Sequence, residues 1–408
     1  MDGPPDSFVP SEVEGRGTES SRAPLDFARD ERAGEPCPSP DLALYVHWPF
    51  CVSKCPYCDF NSHVREAVDQ AQWRDALLKD LAWEAEASPR RPLASIFFGG
   101  GTPSLMPPET VAAIIQAAER HWGLAPGIEI TLEANPSSVE AARFADLASA
   151  GVNRVSLGLQ SLDDEALRFL GRAHGITEGL CALDTAQRAF ARVSFDLIYA
   201  LPGQREEAWA AELARALSFG TGHLSLYQLT IEPGTRFATL AAKGELEPAD
   251  PDYAAALYEL TQEMTQEARL PAYEVSNHAR RGEESRHNLA YWRYRPYLGI
   301  GPGAHGRRSG AATQRHRKPE NWLNALARNG HGIAEETPVA PNDAALERLL
   351  MGLRLREGVE LAAVEPVLDL RALARLEAQG LIGRTDGRLA VAPSGMLLLD
   401  RILTEVAA

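Results

Sequence analysis

From residue 42 to about 305 the chain alternates between short runs rich in β-branched and aromatic residues and longer segments whose apolar residues recur at helical spacing. The first kind predicts strands and the second predicts helices with one buried stripe. Six runs stand out as strands: LALYVHW, SIFFGG, IEITLEA, RVSLGLQ, VSFDLIY and HLSLYQL. Several are apolar at consecutive positions, as expected where helices cover one face and a barrel interior the other. Helical spacing runs over 69–87, 107–122, 138–150, 163–190 and 205–219. A repeated strand-then-helix order predicts a parallel sheet with crossover helices. Six such units are too few for an eight-stranded barrel, so the expectation is an α/β fold with a partial, open (β/α)6 barrel over 41–310.

After about 310 the pattern changes. Helices are expected over 341–356, 368–379 and 394–406, and GLIGRTDGRLAVAP reads as a hairpin turning on Asp-Gly. This predicts a small α+β, winged-helix-like domain over 311–408. The first forty residues are rich in Pro, Gly, Ser, Asp and Glu with few aromatics. Such a segment buries too little to offset its ordering entropy, so 1–40 is expected to be a disordered tail. It lacks a basic n-region followed by an apolar stretch, and its acidity speaks against a transit peptide, which predicts a cytoplasmic protein. In that compartment thiols stay reduced, so closely spaced cysteines bind metal rather than each other. No run is long and apolar enough for a membrane span. The net charge of -15 argues against a general affinity for nucleic acid.

The polar residues at the strand ends carry the chemistry. FFGGGTP closes the second strand, Glu133 and Gln160 end the third and fourth, Asp196 lies within the fifth and Gln228 near the end of the sixth. Barrels of this kind place their sites at the carboxyl ends of the strands, so these residues should converge on one mouth. The loop after the first strand opens at the same mouth and reads CVSKCPYCDF, with Cys51, Cys55 and Cys58 followed by Phe60. Each iron of a four-iron cluster normally takes one thiolate, so three cysteines leave one iron open to a small molecule. Tyr57, between the last two cysteines, can shield one face. The alternative is a zinc site completed by His47 or His63, although no second C-x2-C knuckle accompanies it. Cys37 falls in the tail, and Cys181 falls in a predicted helix, where it reads as a small buried thiol.

C-x3-C-x2-C followed by GGGTP resembles the radical S-adenosylmethionine (SAM) superfamily, most specifically the branch containing oxygen-independent coproporphyrinogen III oxidase, over roughly 42–400. The resemblance implies a barrel of the radical SAM type and a [4Fe–4S] cluster on Cys51, Cys55 and Cys58, whose open iron chelates the amino and carboxylate groups of SAM. It further implies that Tyr45 and Tyr57 pack on cluster and SAM. Gly100, Gly101 and Thr102 would bring backbone amides to the amino-acid moiety, and Glu133, Gln160, Arg172 and Asp196 would bind the rest. The chemistry agrees: SAM carries a sulfonium, an ammonium and a ribose diol, for which carboxylates are acceptors and counter-charges, and glycines admit close approach.

Two features select within the branch. The oxidase has a further cysteine two residues after its third, where this chain has Phe60. HNLAYW, His287 to Trp292, matches the H-N-x-x-Y-W motif of the haem-chaperone relatives, the HemW type, which bind haem and deliver it. The resemblance therefore implies haem as cargo, held by His287, Asn288, Tyr291 and Trp292. An imidazole can ligate haem iron axially and aromatic rings can pack on the macrocycle. Arg293 and Arg295 suit the propionates as bidentate partners. An isolated His-Asn would instead read as a satisfied structural histidine, with tyrosine and tryptophan in the core. His305 either lines the site or caps a loop. The implied recipients are haem proteins, with respiratory membrane enzymes expected, although no amphipathic basic helix supports membrane contact directly; a homodimer is compatible with the chain. No catalytic residue is assigned. The rival reading is an enzyme that uses a 5′-deoxyadenosyl radical to decarboxylate coproporphyrinogen III.

Overall fold

Along each barrel strand, apolar and polar side chains alternate, and this alternation sorts the two sides of the sheet. The computed structural model describes residues 42–407, all within one compact unit. The tail expected over 1–40, with Cys37, lies outside the described residues. Six strands fall where the pattern places them: β1 (Leu42–Trp48), β2 (Leu93–Gly100), β3 (Leu124–Ala134), β4 (Arg154–Gln160), β5 (Arg192–Tyr199) and β6 (His223–Gln228). Five more complete the sheet: β7 (Asn277–Ala279), β8 (Tyr297–Ile300), β9 (His305–Arg308), β10 (Ala311–Arg315) and β11 (Ile333–Pro338). Their order is β11-β10-β9-β8-β1-β2-β3-β4-β5-β6-β7, with two free edges, so the barrel is open. The parallel run has seven strands rather than six, because β8 pairs parallel with β1, Val46 opposite Ile300.

The interior-facing sides of these strands are not apolar, contrary to the expectation from their sequences. Leu42, Leu44, Val46 and Trp48 of β1, Ile96 and Phe98 of β2, and Phe195 and Leu197 of β5 belong to the main hydrophobic cluster. The alternate positions, such as Tyr45, Ser95, Glu129, Glu133, Ser156, Asp196 and Ser225, form a polar lining. The sheet buries its apolar side under helices α1 (Gln70–Ala87), α2 (Pro108–Trp122), α3 (Ile176–Ala189), α4 (Glu206–Ser218) and α5 (Pro251–Glu267). Asp69 caps α1, accepting from the Gln72 amide at 3.1 Å. The stretches 138–150 and 163–190 are each broken in two: Ser138–Ala141 with Phe144–Ser149, and Asp164–Phe169 with Ile176–Ala189. Gly171, at φ +67°, makes the second break.

Helix α6 (Arg286–Trp292) carries HNLAYW. Ser285 caps it, accepting from the Asn288 amide at 3.3 Å, and it ends before Tyr294, whose φ of 55° helical backbone cannot adopt. The carboxylate of Glu129, on the polar side of β3, accepts from the amides of Arg286 (2.9 Å) and His287 (3.3 Å) at the start of this helix. Arg154 and Arg192 reach the other Glu129 oxygen at 3.0 and 3.1 Å. A carboxylate at a helix N-terminus is favourable, and here it fixes the helix to the barrel.

The sheet runs past residue 310, which falls at the β9–β10 turn, and ends at Pro338. Beyond it, α7 (Pro341–Gly352) and Leu370–Ala378 pack with a three-stranded antiparallel sheet of Val359–Glu360, Arg388–Val391 and Ile382–Thr385 around a second hydrophobic cluster. Asp386 and Gly387, at φ 52° and 76°, make the expected hairpin turn. The last helix is shorter than expected, Leu399–Val406, preceded by a 3-10 turn. Among the described residues, no helix is long and apolar enough to cross a membrane.

Candidate functional site

A cavity of about 510 Å³ opens at the carboxyl ends of the barrel strands. It is lined by all three clustered cysteines and by Tyr57, Gly100, Gly101, Thr102, Glu133, Gln160, Arg172 and Asp196. Eleven of the twelve residues expected around cluster and SAM therefore meet there. Each thiol faces a donor: Thr102 Oγ1 donates to the sulfur of Cys51 at 3.5 Å, Arg172 Nη1 to that of Cys55 at 3.3 Å, and Ser62 Oγ lies 4.0 Å from that of Cys58. Donors around sulfur are what thiolate ligands need. Among the described residues no three His, Cys, Asp or Glu side chains converge on a point where one metal ion would sit. Thiolates of a cubane need no such convergence, since each binds a different iron. His47 is in any case engaged at both ring nitrogens, which removes it as the fourth ligand of the zinc alternative.

The glycines are required by close packing. A Cβ at Gly100, already at φ +116°, would meet the His47 ring at 2.6 Å, and one at Gly101 would meet the Phe50 carbonyl oxygen at 2.6 Å. The Gly100 amide donates to Glu133 Oε2 at 3.1 Å. Tyr45 is the expected residue that the cavity does not include. It sits beneath, its hydroxyl donating to His47 Nδ1 at 2.9 Å while His47 Nε2 donates to the Asn61 carbonyl at 3.0 Å. Burial pushes the His47 imidazole down to about 4, so it stays neutral and keeps this arrangement. Tyr45 thus shapes the site through His47 and Gly100. Gln160 ends β4 at φ 70°, a left-handed conformation rare outside glycine, beside a break in the β4–β5 register.

Two carboxylates occupy the cavity floor. Burial, with Asp196 nearby, pushes the Glu133 carboxyl up to about 8. Burial pushes Asp196 up to about 6, against the hydroxyls of Ser225 and Ser156, the latter donating at 3.3 Å. Such groups favour a cationic ligand that restores their charge. Asn135 was missed from the sequence. Its amide donates to Thr102 Oγ1 at 3.1 Å and its oxygen accepts from Arg172 Nη2 at 2.6 Å, so one side chain ties together the donors of two thiols. Its place just beyond the end of β3 was the available signal.

A family profile described as the Radical SAM superfamily matches residues 45–215, and one described as the HemN C-terminal domain matches 339–398. The radical S-adenosyl methionine domain-containing protein 1, mitochondrial, of Bos taurus is 40% identical over 399 residues, 92% of this chain and 90% of that protein. The heme chaperone HemW of Escherichia coli is 36% identical, covering 89% of this chain and 97% of its own, and that of Haemophilus influenzae is 38% identical, covering 78% and 84%. This chain belongs to the radical SAM superfamily. Within it, the chain falls in the branch of HemW-type proteins. The solved coproporphyrinogen III oxidase HemN of Escherichia coli superposes with a TM-score of 0.76 at 22% identity, covering 90% of each chain, which establishes the shared fold.

The radical SAM loop departs from the oxidase pattern at Phe60, whose ring lies at the cavity mouth, 64% exposed. The HNLAYW residues do not line this cavity, although the His287 ring stacks 6.1 Å from that of Tyr45 beneath it. His287 is fully buried on the polar side of the barrel, its ring 4.8 Å from that of Phe97. Its Nδ1 pairs with Ser95 Oγ at 3.1 Å and its Nε2 with Tyr291 Oη at 2.9 Å. Burial alone pushes the imidazole down to about 3. In this conformation it presents no free nitrogen. Asn288 donates to Tyr273 Oη at 3.4 Å. Arg293, expected to face a propionate, is held by Glu357 in two bonds of 2.8 Å. His305 opens β9 and is exposed, and Cys181 is exposed rather than buried.

Proposed function

We propose that this protein binds haem together with a [4Fe–4S] cluster and SAM and passes the haem to recipient haem proteins. The observation that carries the reading is HNLAYW held as one capped helix on the barrel, in a chain of the HemW branch whose cluster loop has Phe60 in place of a further thiol. Cys51, Cys55 and Cys58 would hold the cluster, with Thr102 and Arg172 donating to the sulfurs. Bound there, the cluster offers one iron without a protein ligand and a source of electrons. Glu133, Asp196, Gln160 and Arg172 would receive SAM, and Gly100 and Gly101 leave room for its approach. The recipients expected are haem proteins of respiratory membranes, and the cytoplasm is the expected compartment; the bovine relative's name is mitochondrial.

Haem ligation through His287 Nε2 replaces its hydrogen bond with Tyr291 by a bond to iron, and the neutral imidazole is the form that binds metal. His287→Ala is expected to weaken haem binding at least about tenfold and to change the haem absorption spectrum. Tyr291→Phe, which removes the competing hydroxyl, should bind at least as well as wild type. Unchanged affinity and spectrum in His287→Ala would remove the histidine from the assignment. Anaerobic incubation with SAM, reductant and coproporphyrinogen III tests the rival enzyme, and a vinyl-bearing product would overturn the chaperone reading.

SAM binding should depend on pH with a definite sign. Folding raises the pKa of Glu133 to about 8 and of Asp196 to about 6, so it disfavours their charged forms relative to the unfolded chain, and their contribution to stability falls as pH rises from the ordinary carboxylate range through these values. A sulfonium favours the charged forms. SAM affinity, read by calorimetry, is therefore expected to rise between pH ~6 and ~8.5. Glu133→Gln should flatten the upper part of that rise, and an unchanged pH profile in this variant would exclude Glu133 as the group responsible.

A further inference from the structure

Helix α6 splits its motif between two compartments. His287 and Tyr291, four residues apart, share the face turned to the barrel, where they bond each other. Trp292 faces elsewhere, into a second cavity of about 490 Å³ between the end of α6 and the C-terminal module. That volume is in the range of small-molecule sites. Four arginines line it, Arg293 and Arg295 from the segment after α6, Arg348 from α7 and Arg388 from the C-terminal hairpin, against the two glutamates Glu357 and Glu360. The lining is thus formally +2 on a chain of net charge -15. Positive charge is concentrated here against the trend of the whole molecule.

Arg348 and Trp292 have bonding capacity to spare in this cavity. Glu357 serves two guanidinium groups, Arg293 and, at 3.3 Å, Arg388. Arg348 makes no ion pair among the described residues, and its guanidinium lies 4.7 Å from the centre of the Tyr294 ring. The indole N–H of Trp292 is buried without an acceptor, which is costly unless something supplies one. An occupant that satisfies these groups brings two negative oxygen-bearing groups to the arginines and an acceptor to the indole N–H of Trp292.

We infer that this cavity receives the paired carboxylates of a haem-type tetrapyrrole, with Arg348 of the C-terminal module as a principal contact. The inference rests on the haem-binding reading above. It makes the C-terminal module part of the cargo site, so that cargo bridges α6 and α7 and seats the two parts of the chain against each other.

The test is a titration of the full-length protein with haemin and with haemin dimethyl ester, in which both carboxylates are neutralised. Wild type is expected to bind haemin roughly tenfold or more tightly than the ester. Arg348→Ala and Arg348→Glu should remove most of that difference by weakening haemin while leaving the ester unchanged, with wild-type thermal melting, since Arg348 bonds no carboxylate among the described residues. Equal binding of haemin and ester by wild type, or haemin binding indifferent to both Arg348 variants, would overturn the inference and leave the haem reading standing. Failure of wild type to bind either compound would overturn both.

Discussion

Cys55→Ala protein, reconstituted anaerobically with iron and sulfide, is expected to lose roughly nine-tenths of the iron, the labile sulfide and the broad visible absorption that wild type acquires, because two thiolates cannot hold three corners of a cubane. The same loss is expected for Cys51→Ala and Cys58→Ala. Removing the thiol does not remove the loop's own supports. The Gly101 amide donates to the Trp48 carbonyl at 2.7 Å, Thr102 to Phe50 at 2.8 Å, and Asn61 Nδ2 reaches the carbonyls of Pro302 and Arg317 at 3.0 Å each. The variants should therefore melt within a few degrees of the wild-type apoprotein. Cys181→Ala, whose thiol is exposed on α3 away from the cavity, should reconstitute fully. A Cys55→Ala protein that retains its iron and sulfide would sink the ligand assignment, and wild type that takes up zinc but no sulfide would restore the mononuclear alternative.

The six barrel strands and the cofactor mouth were legible in the sequence because strand ends in a parallel sheet share one side, so polar residues after apolar runs identify themselves. The polarity of the barrel interior was not. Tyr45, Ser95 and Ser156 are scattered singly among apolar neighbours, and only pairing register shows that they share a face. A glycine-rich strand was legible near GIGPGAHG, but the place of β8 in the parallel run was not, because four residues are too short a run to show periodicity and its partner β1 lies some 250 positions earlier. HNLAYW was recognisable as a motif, but its division between two compartments follows from helical geometry together with the packing of α6 on Glu129. Asn135 offered only its place after β3 as a signal, and Arg348 is visible only once folding has brought it to the cavity that Trp292 also lines.

Arg315→Leu is expected to produce the largest loss of stability of any single change considered. Its guanidinium is fully buried and bonds Asp80 Oδ2 at 2.6 Å and Glu84 Oε2 at 2.8 Å. Glu84 would keep Arg308, at 2.7 Å. Asp80 would keep only neutral donors among the described residues: the amides of Gly301 and Gly332 at 3.1 Å and the Trp322 indole at 3.3 Å. Leaving a buried charge without its partner typically costs ~3–5 kcal/mol, a large part of the ~5–15 kcal/mol that a folded domain commands. Denaturant unfolding should show this as a fall in midpoint. Replacing Arg315, Asp80 and Glu84 together by Met, Leu and Leu should recover much of the loss if the unpaired charge, and not lost packing, is the cause; Arg308 then keeps Glu336 at 3.0 Å. The clamp joins α1 to β10 and to the Gly301 turn, and the adjoining Pro302 and Arg317 carbonyls are those that seat Asn61 of the cluster loop. A reconstituted Arg315→Leu protein should accordingly lose its cluster faster in air than wild type, even where it remains folded. Wild-type cluster lifetime in a destabilised Arg315→Leu protein would show that the clamp supports the fold alone and does not reach the loop.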